Sequence, residues 1–323
     1  LVLVSHELEL PQELAGFSAR FSLSLPDNQQ LEAIIREEAG HWSSLHKGSK
    51  VKTSQRTLDI IISQLRGLTA TDARRIIRRI IHDDGAINSD DLERVTQARY
   101  QLLESNGALS CEFNTGSFAE VGGLDNLKRW IKRRRNAFLQ PDDAPDTPRG
   151  ILLVGVQGGG KSLAAKAVAG MWSVPLLCFD FGTLYNKFHG ETERNLREAL
   201  RAAEAMAPCV LWIDEIEKAV AAGDNDGGTS RRLLATLLTW MAERTAAVFI
   251  VATANAIEQL PPELIRKGRM DEIFFVDLPD AATRAEIFAI HLRKREHKPL
   301  DFDLMALAGI TAGFSGAEIE QAI

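Results

Sequence analysis

Cysteine is scarce in this chain. Its three thiols, Cys111, Cys178 and Cys209, lie far apart and form no C-x-x-C pair. A disulfide framework is thereby excluded, and a reducing compartment is implied. Cys178 and Cys209 stand in apolar, strand-like runs, where a small buried thiol is the ordinary state. No apolar run approaches the ~20 residues needed to cross a bilayer, so no membrane segment is expected. A basic leader ending in a cleavage site is missing, which removes the case for secretion and leaves a cytoplasmic protein as the expectation. Basic excess is missing too. The net charge is −6, against the basic footprint of a non-specific nucleic-acid binder. The seven histidines show no ligand spacing (His41 and His46 are five apart) and no H-E-x-x-H motif occurs. That excludes a fused metalloprotease from the sequence at hand. The chain opens on Leu1 rather than Met and stops inside a helical pattern at Ile323. A piece of a longer protein is expected.

What is present begins with length. At 323 residues and 45% hydrophobic, the chain can bury full cores and is long enough for about two domains. The decisive feature is Gly155-Val156-Gln157-Gly158-Gly159-Gly160-Lys161-Ser162, placed directly behind the apolar run Ile151-Leu152-Leu153-Val154. This is a G-x-x-x-x-G-K-[ST] phosphate loop between a buried strand and a helix that starts with Leu163 and its neighbours. Its glycines let several backbone N–H groups converge on one anion, and the helix N-terminus adds its positive dipole end. Lys161 is placed to reach the β- and γ-phosphates, and Ser162 to ligate Mg²⁺.

From about Gly150 onward, β-rich runs at 151–155, 174–179, 209–213, 247–252 and 272–276 alternate with amphipathic helical stretches. That alternation predicts an α/β fold with a parallel five-stranded sheet covered on both faces. Ligands bind beyond the carboxyl ends of such strands, where the phosphate loop lies. The third run ends in Asp214-Glu215. Asp214 is placed to hold Mg²⁺, directly or through its water shell, and Glu215 to polarise a water in line with the γ-phosphate.

With these residues in order, the chain resembles an AAA-type ATPase over about residues 115–323. Phe118 to Leu124 resembles the entry motif of that family, whose backbone near Val121 and Gly122 contacts adenine. Val251-Ala252-Thr253-Ala254-Asn255 resembles its first sensor strand, which implies that Asn255 holds the attacking water. Leu264 to Asp271 resembles the segment carrying paired arginine fingers, here Arg266 and Arg269. Gly313 to Glu318 resembles the start of the lid, placing Gly316 and Ala317 against the nucleotide. Ala317 stands where other branches carry a sensor arginine, so no lid arginine is expected in cis. Val156-Gln157-Gly158-Gly159-Gly160 replaces the usual Pro-Pro-Gly-Thr-Gly, and the extra Gly159 should loosen the loop before ATP orders it. The loop and the segment from Ala207 to Lys218 are most similar to a poorly characterised branch, the hypothetical chloroplast reading frame AAA proteins of cyanobacteria and algal plastids. A plastid stroma is the corresponding alternative to the cytoplasm.

The resemblance implies a P-loop NTPase core at 113–278 and a partial helical lid at 279–323. It also implies a homo-oligomeric, hexameric ring in which the arginine fingers complete a neighbour's site. A segment after the second strand resembles the first pore loop, with Phe188, flanked by Lys187 and His189, gripping an extended polypeptide by apolar contact. A second loop, Ala221 to Gly228, is rich in Gly and Asp and carries no assignment.

Residues 1–112 read differently. Three segments repeat in order: Leu10 to Leu14 with Leu260 to Leu264, Leu25-Pro26-Asp27 with Leu278-Pro279-Asp280, and Gly67 to Ala70 with Gly309 to Ala312. This suggests that the front keeps the second half of a degenerate AAA-like module, strand end and lid, and serves as a scaffold. The basic run Lys128 to Arg135 interleaves Trp130. Either it meets an acidic or nucleic-acid partner or, more commonly, it is the solvated face of a helix. The expected activity is Mg²⁺-dependent ATP hydrolysis coupled to remodelling or threading a protein. The rival readings are an ATP-controlled switch or scaffold and, with less support, a nucleic-acid motor.

Overall fold

The computed structural model describes residues 25–88, 91–102, 108–112, 115–140, 147–185, 192–218, 229–266 and 268–323. The expected pore loop Lys187–His189, the Ala221–Gly228 loop and the first repeat segment at Leu10 to Leu14 lie outside them.

The front is a helical unit. Helix α1 (Asn28–Leu45) starts at Asp27, whose carboxylate accepts from the Gln30 N–H at 2.8 Å while the Gln30 side chain accepts from the Asp27 N–H. Such a reciprocal cap satisfies two otherwise orphaned donors. Helices α2 (Gln55–Leu65), α3 (Ala70–Asp84) and α4 (Asp91–Leu102) follow, capped by Ser54 and Thr69 ahead of α2 and α3. A two-stranded parallel ribbon of β1 (Lys52–Thr53) and β2 (Ala86–Ile87) ties the unit together. Along α3, Ala73, Ile76, Ile77, Ile80 and Ile81 point inward, the spacing of one helix face. Arg78 on the other side makes a two-pronged bond to Glu38 of α1, at 2.9 and 3.1 Å.

The core holds six strands in the order β3-β5-β6-β7-β4-β8. These are β3 (Leu109–Glu112), β4 (Gly150–Gly155), β5 (Leu176–Phe179), β6 (Cys209–Ile213), β7 (Val248–Ala254) and β8 (Glu272–Val276). The five expected strands pair in parallel. The expected count of five falls one short: β3 adds an antiparallel edge strand on β5, Leu109 opposite Phe179. Only four residues long and preceded by helix, β3 has no periodicity to announce it. The expected boundary at 112/113 would leave this strand with the front unit, whereas it pairs with the core. The second strand starts at Leu176 rather than 174, because Pro175 has no N–H to donate to a ladder.

Both central strands β4 and β7 are buried along their whole length, as parallel strands covered on two faces must be. Alternation sends Leu152, Val154, Ile250 and Ala252 to one face, under α8 (Thr192–Ala205) and α9 (Thr229–Glu243). It sends Ile151, Leu153, Phe249 and Val251 to the other, under α5 (Asp125–Leu139) and α6 (Lys161–Trp172). There Phe138, Trp172 and Phe249 form an aromatic cluster with ring centroids 4.6 to 5.9 Å apart. The short α7 (Phe181–Tyr185) follows β5. The three thiols are free. Cys209 is buried as expected and Cys178 only half so, and burial pushes their thiols up to about 12 and about 11.

The segment expected as a lid holds α10 (Ala281–Lys294), α11 (Leu304–Ile310) and α12 (Gly316–Ala322). Buried Arg284 ties it together through the carbonyls of Pro279 and Ala308, both at 2.8 Å. Front unit and core meet at Arg99 of α4, 1% exposed, whose Nη2 donates to the carbonyls of Arg66 and Ala205 and, at 3.2 Å, of Ala207.

Candidate nucleotide-binding site

The strand order builds the site. β7 lies between the phosphate-loop strand β4 and the Asp-Glu strand β6, so a residue at the end of β7 can touch both. Asn255 does: its Oδ1 accepts from Lys161 Nζ at 3.0 Å, and its Nδ2 donates to Glu215 Oε1 at 3.2 Å. Around it lies a cleft of about 360 Å³ lined by Gln157 to Leu163, Asp214, Glu215, Asn255, Val121, Gly122 and the lid residues Gly316 and Ala317. The expected nucleotide residues converge there, with two exceptions. Gly155 and Val156 stand behind the cleft, their carbonyls accepting from Lys161 Nζ at 2.7 and 2.8 Å.

Gly160 caps α6 in the left-handed region and supplies no side-chain acceptor to the first turn. Orphaned N–H groups at a helix start form an anion site. Gly158, at φ 75°, is also left-handed, and a Cβ there would press on Ser315 Oγ and Cβ at 3.0 and 3.3 Å. The lid needs that space: the Ala317 N–H donates to the Gly158 carbonyl at 3.3 Å. Lys161 is 8% exposed. Burial draws its amine below the ordinary lysine value, with Glu217, Asp214 and Glu215 pulling the other way.

The acids at the end of β6 are set by residues that sequence reasoning missed. Thr253, fully buried on β7, donates to Asp214 Oδ1 at 2.5 Å and accepts from the Glu215 N–H at 2.9 Å. Glu217 Oε1 accepts from the Asn255 N–H at 3.0 Å. Glu215 occupies the left-handed region at φ 48°. Its carboxyl is held below the usual carboxylate range by the bond from Lys218 first, with Asn255 and Lys161 adding to it against burial. An ionised carboxylate at this place can accept a proton.

Ser162 and the exposed Asp214 bring oxygen donors to the same cleft, the donor set of a hard cation. Among the described residues no group of three or more His, Cys, Asp or Glu could hold a metal alone. A cation here would complete its shell with phosphate oxygens and water, which fits Mg²⁺.

The Val121–Gly123 wall of the cleft is pinned from two directions. Lys128 Nζ donates to the Val121 carbonyl at 2.7 Å, and the Gly123 N–H donates to Glu286 of α10 at 2.9 Å. A Cβ on Gly122 would collide with Ile287. Ile287 and His291 of α10 line the cleft as well; neither carries a motif that the sequence reading used. His291 Nδ1 lies 3.6 Å from Glu320, and burial lowers its pKa.

Neither Arg266 nor Arg269 lines this cleft. Arg266 is exposed, while Arg269 Nη1 donates to the Glu263 carbonyl. Their loop is fastened to the foot of the phosphate-loop strand, where Arg149 donates to the Gly268 carbonyl at 3.0 Å and Asp271 accepts from the Gly150 N–H at 2.9 Å. In the basic run on α5, Trp130 packs inward near Phe249 and Phe274 while Lys132, Arg133 and Arg134 are exposed. Trp130 is half-buried against the core, and the Arg134 guanidinium lies over its ring, 5.2 Å from the centroid. Among the described residues no helix is long and apolar enough to cross a membrane.

Comparison with known proteins agrees with this geometry. A model of the ATPase family associated with various cellular activities (AAA) matches residues 151–278, and one for the second domain of SpoVK-like AAA ATPases matches residues 29–106. The uncharacterized AAA domain-containing protein ycf46 of Trieres chinensis is 37% identical over all of this chain, which covers 65% of that relative. A proteasome-activating nucleotidase of Aeropyrum pernix is 39% identical over 64% of the chain and 53% of its own length. A cell division cycle protein 48 homolog of Archaeoglobus fulgidus is 28% identical over 94% of the chain and 44% of its own length. The chain thus spans a little under two thirds of the ycf46 protein of Trieres chinensis and about half of these other relatives. With the phosphate loop, the Asp-Glu strand and the sensor strand assembled in one P-loop α/β core, the chain belongs to the AAA family of ATPases, and along its whole length it is similar to the ycf46 AAA proteins of plastid genomes.

Proposed function

We propose that this chain is the working core of a Mg²⁺-dependent ATPase that acts as a homo-oligomeric, hexameric ring and remodels or threads a protein partner. The observation that carries the reading is Asn255, hydrogen-bonded at once to the phosphate-loop lysine and to the carboxylate of Glu215. ATP lies along Gly155 to Leu163, with its adenine against Val121 and Gly122 and its far side under Gly316 and Ala317. Lys161 moves from loop carbonyls to phosphate oxygens. Ser162 and Asp214 hold Mg²⁺, which when bound draws charge from those oxygens. Asn255 orients the attacking water, and Glu215 takes its proton. Positive charge on the transferred group comes from a neighbour's Arg266 and Arg269; their absence from the chain's own cleft supports action in trans. Arginine fingers contribute ~10³–10⁵ in rate in GTPases. Residues 1–112 act as a scaffold left from the second half of a degenerate AAA-like module, a reading supported by the family match over 29–106. Phe188, with Lys187 and His189, lines the pore. The plastid origin of the ycf46 relatives favours the stroma or its cyanobacterial counterpart, the cytoplasm.

Steady-state hydrolysis by Glu215→Gln tests the core of this reading. Turnover should fall ~10²–10⁴-fold, the usual worth of a general base, while ATP binding by equilibrium dialysis persists. Full turnover would remove Glu215 as the base. A second reading, an ATP-controlled scaffold without threading, draws support from the way Arg99 bolts the front unit to the core. Phe188→Ala separates the two. A threader keeps its ATPase and loses work on the substrate, whereas a scaffold is indifferent.

A further inference from the structure

Helix α3 carries arginines down two flanks, and the flanks meet different neighbours. On the flank facing α1, Arg74 donates to Glu37 at 2.7 Å and Arg78 makes its two-pronged bond to Glu38. On the other flank Arg75 and Arg79 stand one turn apart, about 6 Å along the axis. The neighbour there is α4, and it brings no free acid to them.

Between α3 and α4 lies a groove of about 740 Å³, against about 360 Å³ for the nucleotide cleft. Arg75, Arg79 and Asp83 rim it on α3, and Arg94, Gln97 and Gln101 on α4. Its floor is apolar: the buried Ile76 and Ile80 and the small Ala98. Three guanidiniums thus face one carboxylate, in a chain whose net charge is −6. That carboxylate is already taken, since Arg94 holds Asp83 at 2.7 Å and lies 3.8 Å from Asp91. Arg75 has a loose contact with Asp72 at 3.7 Å. Among the described residues Arg79 meets no carboxylate. Like charges gathered along a groove repel one another until an anion lies between them.

We propose that the groove between α3 and α4 is a docking site for an acidic helical segment of a protein partner, which presents carboxylates one turn apart to Arg75 and Arg79. The front unit already contains a contact of this kind: α1 is a helix that sets Glu37 and Glu38 against the arginines of the other flank. Ala98 lets a helix come close, and the amides of Gln97 and Gln101 donate or accept along its far side. A nucleic acid fits less well, because no aromatic side chain lines the groove for a base to stack on. The groove shares no residue with the nucleotide cleft, so the proposal stands apart from the ATPase reading.

The probe is a fluorescein-labelled, alanine-rich helical peptide with glutamates four residues apart, followed by fluorescence anisotropy with the full-length protein. It should bind saturably, and added salt should weaken it. Combining Arg75→Gln with Arg79→Gln should weaken binding about tenfold, the size expected for two exposed ion pairs. A peptide with glutamine in place of glutamate should lose as much on the wild type, while Arg36→Gln on α1 should change nothing. Charge reversal separates a lost contact from a lost fold: Arg75→Glu with Arg79→Glu should reject the glutamate peptide and bind a lysine copy of it. Absence of saturable binding, equal binding of the glutamate and glutamine peptides, or a double glutamine variant that binds like the wild type overturns the proposal. So does an oligouridylate that binds the groove more tightly than the peptide and displaces it. A smaller assembly of the double glutamine variant in sedimentation velocity would give the groove to a second copy of this chain, and the proposal would fall.

Discussion

The front helical unit and the lid begin with the same three letters and end in different employment. Leu25-Pro26-Asp27 and Leu278-Pro279-Asp280 each finish in an aspartate that caps a long helix, accepting from the third N–H beyond at 2.8 Å in both cases. After that the two diverge. Thr69 caps α3, whereas its counterpart Thr311 donates back to the Leu307 carbonyl and leaves the next cap to Ser315. That extra stretch of four residues carries the start of α12 onto the phosphate loop, where Ala317 bonds Gly158. Among the described residues, the front unit reaches no loop of that kind. Its contacts to the core include Arg99, bonded to backbone carbonyls at the end of α8, and Tyr100, whose hydroxyl donates to the Leu109 carbonyl of β3 at 2.6 Å. Equal capping chemistry thus sets where a helix starts, and the contact beyond it sets what the helix is for.

The contrast predicts that damage to the front unit registers as stability and damage to the lid contact as nucleotide affinity. Arg99→Ala should give the largest effect. It strips buried carbonyls of their donor, at about 1–3 kcal/mol for each group left unpaired. Hydrogen exchange in residues 28–102 should rise while the ATP Kd stays put; a matching loss of affinity would break the comparison. Gly158→Ala comes next. A side chain in the left-handed region costs about 1–2 kcal/mol, and here it also presses on Ser315. ATP affinity should fall about tenfold with the melting temperature of the front unit unmoved.

The smallest effect concerns acid. Glu38 is 6% exposed, and its carboxyl is held below the ordinary value of 4.5, first by the Arg78 bond. A lowered folded value means the pair stabilises above the unfolded value and loses that contribution as pH falls through the folded one. The front unit should therefore loosen in acid before the core does. Glu38→Gln should flatten that dependence, as followed by circular dichroism, by an amount of the order of a partly exposed ion pair.

Much of the core was legible because its chemistry dictates residue types at fixed spacing. A phosphate loop must have glycines and a lysine, and a strand buried on two faces must read as an apolar run. Asn255 was legible only through resemblance, since a lone asparagine after a strand carries no signal of its own. The residues that sequence reasoning missed share a physical reason. Thr253, Glu217, Lys218 and His291 act through partners 3 to 39 residues away or across to another element, and a threonine or glutamate looks the same whether it faces solvent or a neighbouring strand. Edge strand β3 was hidden likewise, being too short for period or propensity to speak.

The sequence by itself determined the elements and the chemical inventory: apolar runs fix which strands are buried, capping residues fix helix starts, and the loop motif supplies the glycines, lysine and serine of the cleft. Only the tertiary structure decided the adjacency. Placing β7 between β4 and β6 is a choice of strand order that no local propensity encodes, and it is what brings Lys161, Asn255 and Glu215 into one hydrogen-bonded line.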